Sequence, residues 1–407
     1  MNGVLNIKKL FTISLQVVLL LLVCEGYTRI QNYNRYLCLI AAFLVIGLFF
    51  CKEEKIINGN YKNPFIILIS FYLLFDYFFI NGNKEGLLIY YIFIWTFSLV
   101  LLADLGESFF QVLINGIYYF TILEMFSVLL ELATNHMSLV LTKALYSANV
   151  YESILKQSSK GYYIGIVGEK AIAAFWLIIG LSMFLIKNIK KGEPIRIKTI
   201  IGTGLFLFCI FLTAKRTIIV FAVVLIASQF LLVNYSKKSI TIFGVIIASI
   251  IGLYLIYRFV PAVQLMIERF GNSSEDLETM NSRTALWEYA KEMFKARPIF
   301  GWGRGSYHLG SLNNLEGHNV YLQNFAENGI IGGCLWIMTY ISGIGTLIFL
   351  YFKTHEESTK ILMFSQLLIL MYSFTENALF TSSLVGYYFM TFIGLNYAFK
   401  KYQESIL

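Results

Sequence analysis

Apolar runs of about twenty residues recur along the whole chain. They lie near residues 10–25, 36–51, 64–80, 87–103, 109–132, 162–186, 197–213, 217–234, 239–257, 330–352, 360–376 and 381–399. Each approaches the ~20 residues that an α-helix needs to cross the hydrocarbon core of a bilayer. Backbone groups in hydrocarbon must be satisfied within their own segment, and these runs are too long and too evenly apolar for barrel strands. The pattern predicts an all-α polytopic membrane protein of about twelve transmembrane helices, a single membrane domain over residues 1–407. Composition agrees, because 57% of the residues are hydrophobic and only 14% charged, too few polar side chains to cover a soluble fold. The run after Lys8 and Lys9 has no small-residue cleavage site behind it, and is read as a retained first span.

Charge sets the expected topology. With the N terminus in the cytoplasm, sixteen lysines and arginines fall on that side, among them Lys52, Lys187, Lys190, Lys237 and Lys353, against eight in the short opposite loops. The bias places both termini in the cytoplasm. The net charge of +8 therefore reports orientation, and no basic stripe with interleaved aromatics points to nucleic acid. The five cysteines, Cys24, Cys38, Cys51, Cys209 and Cys334, have neither CxxC spacing nor histidines beside them, which argues against structural zinc and against a disulfide framework.

This orientation leaves two longer breaks outside, at residues 133–161 and 258–329. Loops beyond ~15 residues in compact proteins are usually functional or disordered. The second break is patterned. Asn281 and Ser282 are natural N-caps, after which Leu286, Trp287, Ala290, Met293 and Phe294 share one helical face before Pro298. That face is expected to rest on the membrane surface or on the helix bundle, with Glu288, Lys291, Glu292 and Lys295 turned away. Gly301, Gly303 and Gly305 permit a tight turn, and a second short helix is expected from His318 to Asn328.

Ionisable residues beside spans are the candidates for chemistry, because charge near a bilayer is costly. Arg216, at the outer start of a span, reads either as a snorkelling interfacial arginine or as an anion ligand. Arg283 falls in the first turn of the expected loop helix, an unfavourable end for a cation unless an anion joins it there or Glu275, Asp276 or Glu278 pairs with it. His318 stands where the loop re-enters the membrane, and histidine suits proton transfer from a hydroxyl, though a lone histidine is more often a helix cap. Lys170 and Glu169 interrupt the sixth run, either neutralising each other or lining an outer cavity. Glu376 and Asn377 end the eleventh, each readable as a plain interfacial residue. No GxxxxGK[ST] occurs, and no outer acidic pair has the character of a metal site, so neither cofactor nor metal is expected.

The ordered run Arg283-x3-Trp287-x2-Ala290-x3-Phe294-x3-Pro298-x-Phe300-Gly301-x-Gly303-x-Gly305-Ser306-Tyr307 is followed by His318-Asn319-x-Tyr321-Leu322-Gln323 and Glu327-x-Gly329-Ile330-Ile331-Gly332. It resembles the signature of the O-antigen polymerase and ligase superfamily. The resemblance implies a GT-C-like membrane glycosyltransferase on the outer face of the bacterial cytoplasmic membrane, acting on oligosaccharide donors and acceptors carried on undecaprenyl diphosphate. Flippase and chain-length regulator proteins would be its partners. Position by position, Arg216, Arg283 and His318 match the family's catalytic residues, while Lys170, Lys215, Arg304, Asn319 and Tyr321 are expected to contact substrate. The loop 258–329 then reads as a catalytic lid over an outward cavity. A polymerase of capsule, exopolysaccharide or O-antigen is the leading expectation. A ligase to lipid A core, protein or wall polymer is second. A transporter is third, since no paired Gly/Pro-broken spans occur.

Overall fold

The computed structural model describes residues 2–24, 34–50, 63–80, 107–190, 193–232, 273–311, 315–377 and 382–406. The expected spans 87–103 and 239–257 lie outside them. Every regular element among the described residues is helical: α1 (Asn2–Cys24), α2 (Asn34–Phe50), α3 (Pro64–Phe75), α4 (Glu107–Ala133), α5 (Leu139–Thr142), α6 (Ala148–Ser159), α7 (Lys170–Asn188), α8 (Ile197–Leu212), α9 (Arg216–Leu232), α10 (Ser273–Ala296), α11 (Ser306–Gly310), α12 (Val320–Thr354), α13 (Glu357–Tyr372) and α14 (Ser382–Ile406). A single π-helical turn, Asp76–Ile80, continues α3.

Three described helices are long and apolar enough to cross a membrane: Phe109–Ala133, Lys170–Asn188 and Val320–Thr354. Shorter apolar helices cover Lys9–Leu21, Pro64–Ile80, Ile197–Leu212 and Arg216–Gln229. Exposed Phe71, Phe126, Val223 and Phe352 form the apolar exterior that a lipid solvent requires. The chain forms two compact units, residues 1–25, 30–117 and 277–407 in one, and 26–29 and 118–276 in the other.

In the first unit, α12 packs against α3, α13 and α14, while α1 packs against α2 and α14. Apolar packing alone gives little specificity where the solvent is also apolar, and buried polar pairs add it. Asn63 Nδ2 donates to Ser342 Oγ at 2.9 Å and Gln366 Nε2 to Thr391 Oγ1 at 2.7 Å.

In the second unit α7 is the central helix, with Phe175, Trp176, Leu177 and Ile178 fully buried and with α8 and α9 against it. It starts later than the run at 162 suggested. Residues 162–169 turn instead, with Gly165 and Gly168 at positive φ. Two buried glutamates of α4 hold that turn. Glu131 Oε2 accepts from the Ile164 and Gly165 amides at 2.8 and 2.9 Å, and Glu124 Oε2 from Ile166 and Val167 at 3.2 Å each. Hydropathy cannot see this, because acidic side chains inside an apolar run look like defects until their amide partners are known.

The loop helix also departs from expectation. α10 begins at Ser273 and runs through Asn281 and Ser282, so these do not cap it and Arg283 is not in its first turn. The expected conflict between Arg283 and the helix dipole disappears. The apolar stripe packs on protein: Leu286, Ala290 and Met293 are buried with Tyr307 and Ala326. The opposite face is exposed and carries Lys291–Glu288 and Lys295–Glu292 pairs at 2.6 and 2.8 Å.

Candidate functional site

The glycine-rich motif builds a clasp. α12 contains one non-helical residue, Gly329 at φ 60° and ψ −163°, so the expected short helix and the tenth span are two arms of one kinked helix. A kink frees backbone groups that must find partners elsewhere. Here the elbow after α10 supplies them. The Ile330 amide donates to the Pro298 carbonyl at 2.8 Å, Ile331 to Ile299 at 3.2 Å, and Gly303 to the Glu327 carbonyl at 2.8 Å. Tyr72 Oη, from α3, donates to the Asn328 carbonyl at 2.7 Å and lies 3.1 Å from that of Phe300. Elbow and kink approach so closely that a Cβ on Gly301 would stand 2.2 Å from the Glu327 carbonyl oxygen, and one on Gly329 2.3 Å from that of Ile299. Both glycines also have positive φ, which explains the residue type twice over.

Arg304 belongs to this clasp. Its Nη1 donates to Glu327 Oε2 at 3.0 Å and to Asn324 Oδ1 at 2.9 Å, and its amide donates to Asp76 Oδ2 at 3.0 Å. The side chains of Arg304 and Glu327 are only 6% and 1% exposed, so the pair is a buried ion pair that fastens the elbow to α12.

His318 follows on the short segment that leads into α12. Its φ is 48°, a left-handed conformation for a non-glycine residue. Asn319 caps the helix, with Oδ1 accepting from the Tyr321 and Leu322 amides at 3.1 Å each. Tyr321 Oη donates to the Leu370 carbonyl at 2.8 Å, and the Val320 amide to that of Ser373 at 2.9 Å. These two bonds fasten the start of α12 to the end of α13. Asn319 and Tyr321, expected to contact substrate, therefore hold the segment on which His318 sits.

The same bonds bring Glu376 beside His318. Glu376 Oε2 is 3.4 Å from His318 Nδ1, close enough to pair with an imidazolium but not aligned as a hydrogen bond. Its other oxygen accepts from Arg283 Nη2 at 3.1 Å. The carboxylate is 11% exposed, whereas Arg283 and His318 are 28% and 31% exposed. A buried anion thus lies behind a cation and an imidazole that both reach the surface. Asn377 Oδ1, next in sequence, is buried without a hydrogen-bond partner. The sequence marks Glu376 only as an acidic residue at a span end; its connection to Arg283 and His318 depends on α10, α12 and α13 meeting.

The other expected residues lie in the second unit. Arg216 is the first residue of α9, preceded by Lys215 and by Ala214 at φ 54°. Two cations therefore stand at the N-terminus of α9. Lys170 opens α7, with Nζ 4.0 Å from the Tyr162 ring centre, and Glu169 caps that helix by accepting from the Ile172 amide at 2.7 Å. His136, outside the candidate set, pairs with Glu131 at 2.7 Å and stacks on Tyr163. Among the described residues no cluster of three or more His, Cys, Asp or Glu is arranged to hold a metal ion. Cys209 and Cys334 are free thiols.

Comparison with known proteins bears on this arrangement. Residues 201–337 match the family described as O-antigen ligase, a segment that contains Arg216, Arg283, Arg304 and His318. The chain is also 24% identical over 173 residues to the exopolysaccharide production protein ExoQ of Rhizobium meliloti (strain 1021). That match covers 39% of this chain and 38% of the relative. The match at residues 201–337 thus agrees with the O-antigen polymerase and ligase superfamily that the motifs resemble.

Proposed function

We propose that the chain is a polysaccharide polymerase that joins glycan carried on undecaprenyl diphosphate to a hydroxyl of a lipid-linked repeat unit. The observation that carries this reading is the Glu376 carboxylate shared by Arg283 and His318. With Nδ1 turned to Glu376, Nε2 of His318 is the nitrogen available to an acceptor hydroxyl. It takes the hydroxyl proton while the oxygen attacks the anomeric carbon of the donor, and the bond from that carbon to the diphosphate oxygen breaks. Glu376 stabilises the imidazolium that results. Arginine supplies the positive charge that the departing diphosphate needs, which makes a divalent ion unnecessary. Arg283 fills that role from the loop, and Arg216 is assigned to it by the resemblance alone. Direct displacement inverts the anomeric centre.

The proposed setting is a GT-C-like bundle of about twelve spans in the bacterial cytoplasmic membrane, with both termini in the cytoplasm and the 258–329 loop outside. Flippase and chain-length regulator proteins are its proposed partners. Polymerase is favoured over ligase by the similarity to an exopolysaccharide production protein; the description of the matched family favours ligase. Purified lipid-linked repeat units separate the two. A ladder of products from repeats alone is the polymerase outcome, and transfer only to a second acceptor is the ligase outcome. Flipping of lipid-linked repeats in proteoliposomes without bond formation would refute both.

A further inference from the structure

The segment carrying His318 is gripped at Gly317, on the peptide unit to either side of that residue. The Gly317 amide donates to Gln323 Oε1 at 2.9 Å, and the Gly317 carbonyl accepts from Trp287 Nε1 at 2.9 Å. Gln323 is buried, and its own amide nitrogen donates to Glu327 Oε1 at 3.2 Å and to Glu316. The clasp formed by Arg304 and Glu327 is thereby connected to the backbone just before His318.

That backbone decides where the imidazole points. The Gly317 carbonyl and the His318 amide belong to one planar peptide, so holding the carbonyl holds the plane from which the φ of His318 is measured. His318 is at φ 48°, a conformation that is costly for a non-glycine residue and persists only where surrounding contacts impose it. The side chain is not fixed by Glu376 alone, since the 3.4 Å approach is not an aligned hydrogen bond. A misplacement of roughly 1 Å in a reacting group costs on the order of 100-fold in rate.

We infer that Trp287, which holds the Gly317–His318 peptide, and Gln323, which holds the peptide before it, are positioning residues that aim His318 through Gly317 and do not themselves touch substrate. The inference rests on the reading of His318 as the base. Its structural part is testable apart from that reading, because the chain has only four histidines. Full-length protein labelled with 13C,15N-histidine gives imidazole signals for His136, His308, His318 and His355, with that of His318 identified by its loss in His318→Ala.

Trp287→Phe removes the indole donor and keeps a ring, and Gln323→Met removes the acceptor and keeps the length. Each variant is expected to move the His318 signal and leave the other three in place. Each should lower kcat for chain growth by roughly 10- to 100-fold with KM within about threefold, the mark of a misplaced reacting group. Trp302→Phe removes a comparable indole bond, to the Met293 carbonyl at 2.9 Å, and should leave both the signal and the rate unchanged. An unmoved His318 signal in Trp287→Phe and Gln323→Met overturns the inference. So does a shift of all four signals together, or an equal effect from Trp302→Phe. A moved His318 signal with unchanged kcat upholds the positioning and rejects His318 as the base.

Discussion

Arg283 Nη2 donates to Glu376 Oε1 at 3.1 Å across 93 residues of sequence. His318 stands on the other oxygen of that carboxylate. One carboxylate therefore lies beside both a cation and an imidazole.

Glu376→Gln keeps the size and removes the charge. It is expected to lower kcat at least about tenfold, and less than His318→Ala, whose loss should fall near the 10²–10⁴-fold typical of a general base. Single-turnover transfer from a defined lipid-linked donor measures both. A rate equal to wild type in Glu376→Gln would remove the carboxylate from the mechanism.

Gly301→Ala and Gly329→Ala are expected to destabilise the protein by more than 1 kcal/mol each, since both combine a positive φ with a backbone atom inside Cβ contact distance. Thermal unfolding in detergent should show lowered Tm for both. Gly345→Ala is the control, with nothing within 4 Å of its added methyl.

Glu327→Ala leaves Arg304 buried without its ion-pair partner, a change that typically costs about 3–5 kcal/mol. Low yield or early unfolding is the expected result, measured by fluorescence size exclusion. Simultaneous replacement of Arg304 and Glu327 by apolar residues of similar volume should recover part of that loss.

Arg216→Ala and Lys215→Ala separate a specific anion ligand from a general positive field. Arg216→Ala is expected to lower kcat/KM for chain growth by 10-fold or more, and Lys215→Ala by less than about threefold. Equal losses would replace the specific role with a field effect. Chelation with EDTA should leave the wild-type rate unchanged.

The order of apolar runs was enough to place α1, α2, α3, α8, α9, α13 and α14, because an apolar helix leaves its signature in hydropathy one residue at a time. The motif residues were legible for the same local reason: Gly301 and Gly329 are glycines because their own backbone geometry demands it. What the sequence could not reveal lies between segments. Asn281 and Ser282 offered a good local start for a helix, yet α10 continues through them to Ser273. The hydrogen bonds that Arg304, Asn319 and Tyr321 make to Asn324, the Leu322 amide and the Leu370 carbonyl were not legible either. Glu124, Glu131 and Glu376 were ordinary or awkward acids until the fold supplied the amides, the arginine and the histidine that they bind. Hydropathy and φ preference belong to single positions and short windows, so the sequence determined the apolar helices and the glycine-rich elbow. Hydrogen bonds and ion pairs across dozens of residues belong to no window, and only the tertiary structure decided that Glu376 would stand between Arg283 and His318.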